Sequence, residues 1–164
     1  NAKFIFAGGG KELDYFRAQA ESCGLKDRCI FTGWRTDTAE LLRASDLFLL
    51  ASLWEGLPRS LVEALASGLP AVCYKTDGVA DLVKEGINGF TARPGDEEGL
   101  AAAAARVLRD ETLRYGLAKG ALSTDLSAFD IELMVKQQEE LYLELLARKG
   151  PGELKIQDSG LKIG

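Results

Sequence analysis

The sequence predicts an α/β domain, a doubly wound parallel sheet with helices on both faces. Three observations carry that expectation. Short apolar runs alternate with longer amphipathic stretches along most of the chain, the pattern of strands separated by helices. Several runs are apolar on consecutive residues, as in Asp46-Leu47-Phe48-Leu49-Leu50-Ala51-Ser52, which suits strands covered on both sides. Glycine is in excess, 18 of 164 residues, and it sits where strands and helices are expected to stop.

Taken in order, Phe4–Ala7 reads as a buried strand ended by Gly8-Gly9-Gly10. Leu13, Phe16, Ala20 and Cys23 recur at helical spacing before Gly24, a plausible stop. Arg28–Thr32 is a second strand ending at Gly33, and Asp37 or Thr38 starts the next helix. Residues 46–52 form the third strand. Pro58 suits the first turn of a helix running to Ser67, with Gly68 at its end. Pro70–Tyr74 and Phe90–Arg93 are the remaining strands, separated by a short helix from Thr76 to Lys84. Helices over Glu97–Arg109, Glu111–Leu122 and Ser127–Arg148 follow. The expected organisation is one domain over 1–149 and a loosely docked tail over 150–164.

Composition narrows the chemistry. Histidine is absent, so this chain contains no Ser-His-Asp or Cys-His nucleophile system, no histidine zinc site and no histidine general base. The net charge is −5 with a pI near 4.9, which argues against a nucleic-acid partner held by a basic face. Apolar runs such as Ala101–Ala105 fall far short of the ~18–20 residues a membrane helix needs. No secretory pattern opens the chain, although a targeting segment before Asn1 stays open. Cys23, Cys29 and Cys73 show no C-x-x-C spacing and read as buried, reduced thiols of a cytoplasmic protein.

Ligands on such sheets sit beyond the carboxyl ends of the strands. The candidate loops are therefore Gly8–Lys11, Gly33–Arg35, Ser52–Leu57 and Thr76–Val79. The most informative stretch runs from Ser52 to Val72. It combines a strand end, a carboxylate on a glycine turn (Glu55-Gly56), and a helix N-terminus facing the same crevice. Free amides and the helix dipole there favour an anion such as a phosphate. Glu63, about one and a half turns into that helix, suits acceptance of two hydrogen bonds from vicinal hydroxyls such as those of a ribose. Arg59 and Lys11 are candidate phosphate cations. Trp54 reads as packed at the strand edge, and Trp34 as either packed or stacked on a base.

Glu55-x7-Glu63, within Ser-x-x-Glu-Gly…Glu-Ala…Gly-x-Pro-x-Val, resembles the signature of family 4 (group 1) glycosyltransferases of the GT-B fold. Gly8-Gly9-Gly10, Ile30-Phe31-Thr32-Gly33, Ala44–Leu50, Asp77–Val83 and Gly89–Asp96 resemble further segments of the same Rossmann-like domain, in the correct order over residues 1–149. The resemblance implies a retaining, metal-independent transferase that takes a UDP- or GDP-type nucleotide-sugar donor, with no other cofactor, and a glycan or lipid-linked acceptor. Carried over by position, Glu63 would bind the donor ribose. Gly56, Leu57, Arg59 and Ser60 would hold the diphosphate, and Glu55 would act at the reacting sugar as the catalytic carboxylate. Gly8, Gly9, Gly10, Gly33, Trp34 and Arg35 would border the nucleobase.

Two departures stand out. Pro58 replaces a common glycine and removes one amide donor. The family domain also opens with a strand and helix that precede the strand at Phe4, and an N-terminal GT-B domain precedes that. The chain is therefore expected to be a C-terminal half, inactive alone, attached to a membrane only through the absent half. A nucleotide-sugar epimerase would need histidine and further acids that are not found. A non-catalytic nucleotide-binding or scaffold domain of the same fold is the main alternative.

Overall fold

The computed structural model describes residues 2–149; the expected tail over 150–164 lies outside them. The strands are β1 (Phe4–Ala7), β2 (Cys29–Gly33), β3 (Phe48–Leu50), β4 (Ala71–Tyr74) and β5 (Gly89–Ala92). The helices are α1 (Leu13–Ser22), α2 (Thr38–Arg43), α3 (Arg59–Ala66), α4 (Asp77–Leu82), α5 (Glu97–Arg109), α6 (Glu111–Leu122) and α7 (Ile131–Lys149). The chain forms two compact units, Asn1–Thr124 and Asp125 onward, whereas the sequence pattern suggested a division at 149/150. The break follows α6, whose C-cap is Ser123, and precedes a short 3-10 turn at Ser127–Phe129.

Every strand pairing is parallel, as expected, but the sheet is not continuous. β1 pairs with β2, and β3-β4-β5 form a separate ladder. No described strand bridges β1 and β3, so the expected parallel α/β architecture is present as two ladders. The central strand β4 is buried at all four positions. Val72 and Tyr74 lie in a cluster with Leu100 and Val107 of α5 and Leu117 of α6. Ala71 and Cys73 point to the opposite face by the period of two. Leu61, Ala64 and Leu65 of α3 are fully buried, each large side chain contributing about 1.5–3 kcal/mol of burial.

Local chemistry explains the helix starts in this half. The Asp96 carboxylate accepts from the Gly99 amide at 2.9 Å, and Asp110 accepts from the Leu113 amide at 2.9 Å; each cap satisfies a donor that the first turn leaves open. Glu97 and Glu98 begin α5 while Arg106 and Arg109 end it, complementing the helix dipole.

Sequence reasoning passed over Asn88. It is fully buried, donates from Nδ2 to the Leu82 carbonyl and to Thr124 Oγ1, both at 2.9 Å, and accepts from the Lys84 amide at 2.7 Å. The side chain thus satisfies the backbone where α4 ends and the chain turns into β5. The lone signal was an Asn-Gly pair, which reads as a simple turn. Asn88→Ala is expected to cost about 2–4 kcal/mol, because buried partners lose their bonds, as read by urea denaturation.

The cysteines divide by position and correct the expectation of three buried thiols. Cys23 is exposed at the C-cap of α1, Cys29 is half-buried at the start of β2, and Cys73 is buried in β4. Burial pushes the Cys73 thiol up to about 12, leaving almost no thiolate near neutrality. Iodoacetamide at pH 8 is expected to alkylate Cys23 in the native protein and Cys73 only after unfolding, as read by peptide mass spectrometry.

Candidate functional site

The site is built on the loop from β3 to α3. Pro58 caps α3 in an extended conformation (φ −74°, ψ 96°), which its ring favours at a helix start, and it is buried. The Leu61 and Val62 amides both turn back to the Pro58 carbonyl, at 2.9 and 3.3 Å. Arg59 and Ser60 amides accordingly stand at the open end of the helix and have no partner among the described residues. Gly56, Leu57, Arg59 and Ser60 are exposed, so this loop and helix start present backbone donors to solvent.

The helical period sorts the side chains of α3. Leu61, Ala64 and Leu65 go inward, while Arg59, Ser60 and Glu63 share the outward face, three and four residues apart. Glu63 sits about one turn in from Arg59. Neither Glu63 nor Arg59 forms an ion pair among the described residues. Glu55 is half-buried at the loop's beginning. The arrangement gathers a cation, a hydroxyl, two carboxylates and open amides at one strand-to-helix junction.

A second loop holds this one in place. Gly78, at the start of α4, is buried, and a Cβ added to it would run into the Gly56 carbonyl and the Leu57 Cα. The carboxyl ends of β3 and β4 therefore meet backbone to backbone. Thr76, the N-cap of α4, keeps a buried hydroxyl with no hydrogen-bond partner among the described residues. It stands two residues before Gly78, whose contact with Gly56 joins the loops, so it belongs with the candidate site, although sequence alone marked it only as part of a loop.

The glycine turn after β1 lies elsewhere in the unit. The Gly8 amide donates to the Gly33 carbonyl at 2.9 Å, so two of the predicted glycines do meet. Gly33 has φ +69°, which a side chain would strain. Gly8, Gly9, Gly10 and Lys11 line a cavity of about 680 Å³ together with Phe6, Leu13, Phe16 and Phe31. No residue of the Ser52–Glu63 stretch lines it, so the glycine turn and the glutamate pair are not enclosed in one pocket.

Three side chains behave differently from expectation or are tied locally. Trp54 is 86% exposed rather than packed at the strand edge; it lies on the loop, four residues past the end of β3. Trp34 is equally exposed at 86%. Arg35 holds Asp37 through its Nε at 2.6 Å and through a second bond from Nη2, and that bidentate contact keeps the Asp37 carboxyl below its ordinary range. No group of three or more potential metal-ligating side chains exists among the described residues.

A parallel α/β unit with open amides gathered at a strand-to-helix junction has the geometry that favours an anion there. Residues 1–123 match the model of the family described as glycosyl transferases group 1, and the chain belongs to that family. It is 31% identical over 147 residues to an Escherichia coli UDP-Gal:alpha-D-GlcNAc-diphosphoundecaprenol alpha-1,3-galactosyltransferase, covering 89% of this chain and 38% of the relative. It is 30% identical to N-acetyl-alpha-D-glucosaminyl L-malate synthase of Bacillus anthracis, covering 94% and 40%. The crystal structure of Anabaena Alr3699/HepE in complex with UDP superposes with a TM-score of 0.76 at 31% identity, covering 88% of this chain and 41% of that one. The chain thus spans about two fifths of these relatives, and its fold is that of GT-B glycosyltransferases.

Gly78→Ala is expected to force the β3 and β4 loops apart, at a cost of about 1–3 kcal/mol. Amide exchange by mass spectrometry should quicken at Gly56–Leu57 with little change at Val107; uniform quickening over the unit would contradict this local role.

Proposed function

We propose that the chain is the donor-binding half of a retaining family 4 glycosyltransferase. It would move a sugar from a UDP- or GDP-type donor to a glycan or lipid-linked acceptor, without a required metal. The observation that carries this reading is the shared outward face of Arg59, Ser60 and Glu63 at the open start of α3, beside the Glu55-Gly56 loop. A relative whose name includes UDP-Gal, and a similar structure that holds UDP, support it.

In this reading the Gly56, Leu57, Arg59 and Ser60 amides, with the helix dipole, take the diphosphate. Negative charge grows on that group as the sugar–phosphate bond breaks, so fixed donors there favour the transition state over the ground state. The Arg59 guanidinium adds a cation. Glu63 accepts from the two ribose hydroxyls, fixing the nucleoside relative to α3. Glu55 orients the sugar or offsets positive charge at the anomeric carbon, and Thr76 supplies a hydroxyl at the same junction. Gly8–Gly10, Gly33, Trp34 and Arg35 border the base. Acceptor binding and the rest of catalysis belong to an N-terminal GT-B domain, so the 164 residues bind donor without turnover and work in the cytoplasm.

Calorimetric titration with UDP and GDP tests the reading directly. Saturable binding of one nucleotide is expected, and Glu63→Ala should weaken it roughly ten- to a hundredfold, the scale of lost charged hydrogen bonds, with the melting temperature unchanged. Unchanged affinity would remove the ribose assignment. Absence of binding to both nucleotides would remove the donor reading.

A further inference from the structure

We propose that Asn88-Gly89 is a latent deamidation site. The closed turn between α4 and β5 keeps it unreactive, and opening of that turn lets the Gly89 nitrogen convert Asn88 to aspartate or isoaspartate. The inference is independent of the donor reading.

Packing demands both residues. Asn88 is required for its side-chain amide, which donates to the Leu82 carbonyl and to Thr124 Oγ1 and accepts from the Lys84 amide. Gly89 is required because a Cβ there would run into the Ala71 carbonyl. The fold thus sets an asparagine directly before the residue type that leaves its own backbone nitrogen least hindered. Asparagine occurs at Asn1 and Asn88, and only Asn88 precedes glycine.

The reaction needs only a base and water. The Gly89 backbone nitrogen gives its proton to a buffer base and attacks Cγ of Asn88. A new C–N bond closes a five-membered succinimide. The bond from Cγ to Nδ2 breaks, and Nδ2 takes up a proton and leaves as ammonia. Water then opens the ring at either carbonyl, giving aspartate or isoaspartate. Nothing is oxidised or reduced.

The closed turn blocks the first step. Cγ has to swing toward the Gly89 nitrogen, which takes the side chain away from all three partners. Asn88 is fully buried, so base and water do not reach it. Gly89 is held in the ladder opposite Ala71, and the Ala71 amide donates to the Asn88 carbonyl at 3.1 Å. On the side of α6, a Cβ on Gly120 would run into the Ile87 carbonyl, and Thr124 Oγ1 donates to the Gly120 carbonyl at 3.0 Å. Conversion therefore proceeds from the opened turn, at a rate scaled by the fraction of chains that are open.

The product does not restore the turn. A carboxylate accepts hydrogen bonds and donates none. The Leu82 carbonyl loses its donor and faces a negative oxygen in a buried place. Isoaspartate also lengthens the main chain by one methylene at the start of β5. Because α4 runs from Gly78 to this turn, the change loosens the helix whose start touches the Gly56 loop.

Peptide mass spectrometry at residue 88 tests the proposal on the 164-residue chain, incubated at pH 8 in native buffer and in denaturing urea. Conversion should be at least about a hundredfold slower in native buffer, as the small open fraction requires. Thr124→Val removes one partner of Nδ2 and keeps the dipeptide. It should speed conversion in native buffer at least about threefold and leave the rate in urea unchanged. Should Thr124→Val not fold, urea concentrations that leave the wild type folded should raise the wild-type rate instead. Asn88→Asp should melt at a lower temperature than the wild type or fail to fold. Equal rates in native buffer and urea would overturn the proposal. So would a native rate indifferent to both Thr124→Val and low urea, or an Asn88→Asp chain that melts like the wild type.

Discussion

Gly78 lies so close to the Gly56 carbonyl that only a hydrogen fits where another residue would carry Cβ. That contact joins the loops at the carboxyl ends of β3 and β4, and much of the candidate site depends on it. It fixes the strand-to-helix turn through which Pro58 enters α3. It thereby decides where the open amides of Arg59 and Ser60 stand. Interactions between rigid backbone segments have few ways to relax, so a site resting on one is preorganised before any ligand arrives.

The energetics divide unevenly across the molecule. β4, α3, α5 and α6 concentrate the buried apolar side chains, and Asn88 pins the turn between α4 and β5 with three hydrogen bonds. The β1–β2 ladder and α1 contain no buried residue. The glutamate-bearing helix thus stands on the well-packed part of the unit, and the glycine turn on the weakly covered part. Local opening follows coverage, so the two halves of the proposed donor site differ in stability. A ligand touching both would spend part of its binding free energy on ordering the weaker one.

Long α7 is exposed at every position from Ile131 to Arg148, although Leu133, Met134, Val135, Leu141, Tyr142 and Leu145 are apolar. Apolar side chains on a helix of a globular protein ordinarily face a core. Pattern reports which side chains avoid water; it says nothing of what covers them.

The sequence by itself determined the order and type of the elements, since consecutive apolar runs, glycine stops and Asp caps are local signals that act within a few residues. It also determined that Glu55, Arg59, Ser60 and Glu63 belong to one strand-to-helix junction, because helical spacing alone puts the last three on one face. Tertiary structure decided the rest. It split the sheet into two ladders, exposed Trp54, buried Cys73 alone among the cysteines, tied Arg35 to Asp37 and left the Thr76 hydroxyl unpartnered. It also set the glycine turn and the glutamate pair apart. Each of these depends on contacts between residues distant in sequence, where burial and pairing are set by what the chain brings together and not by any residue's own preference.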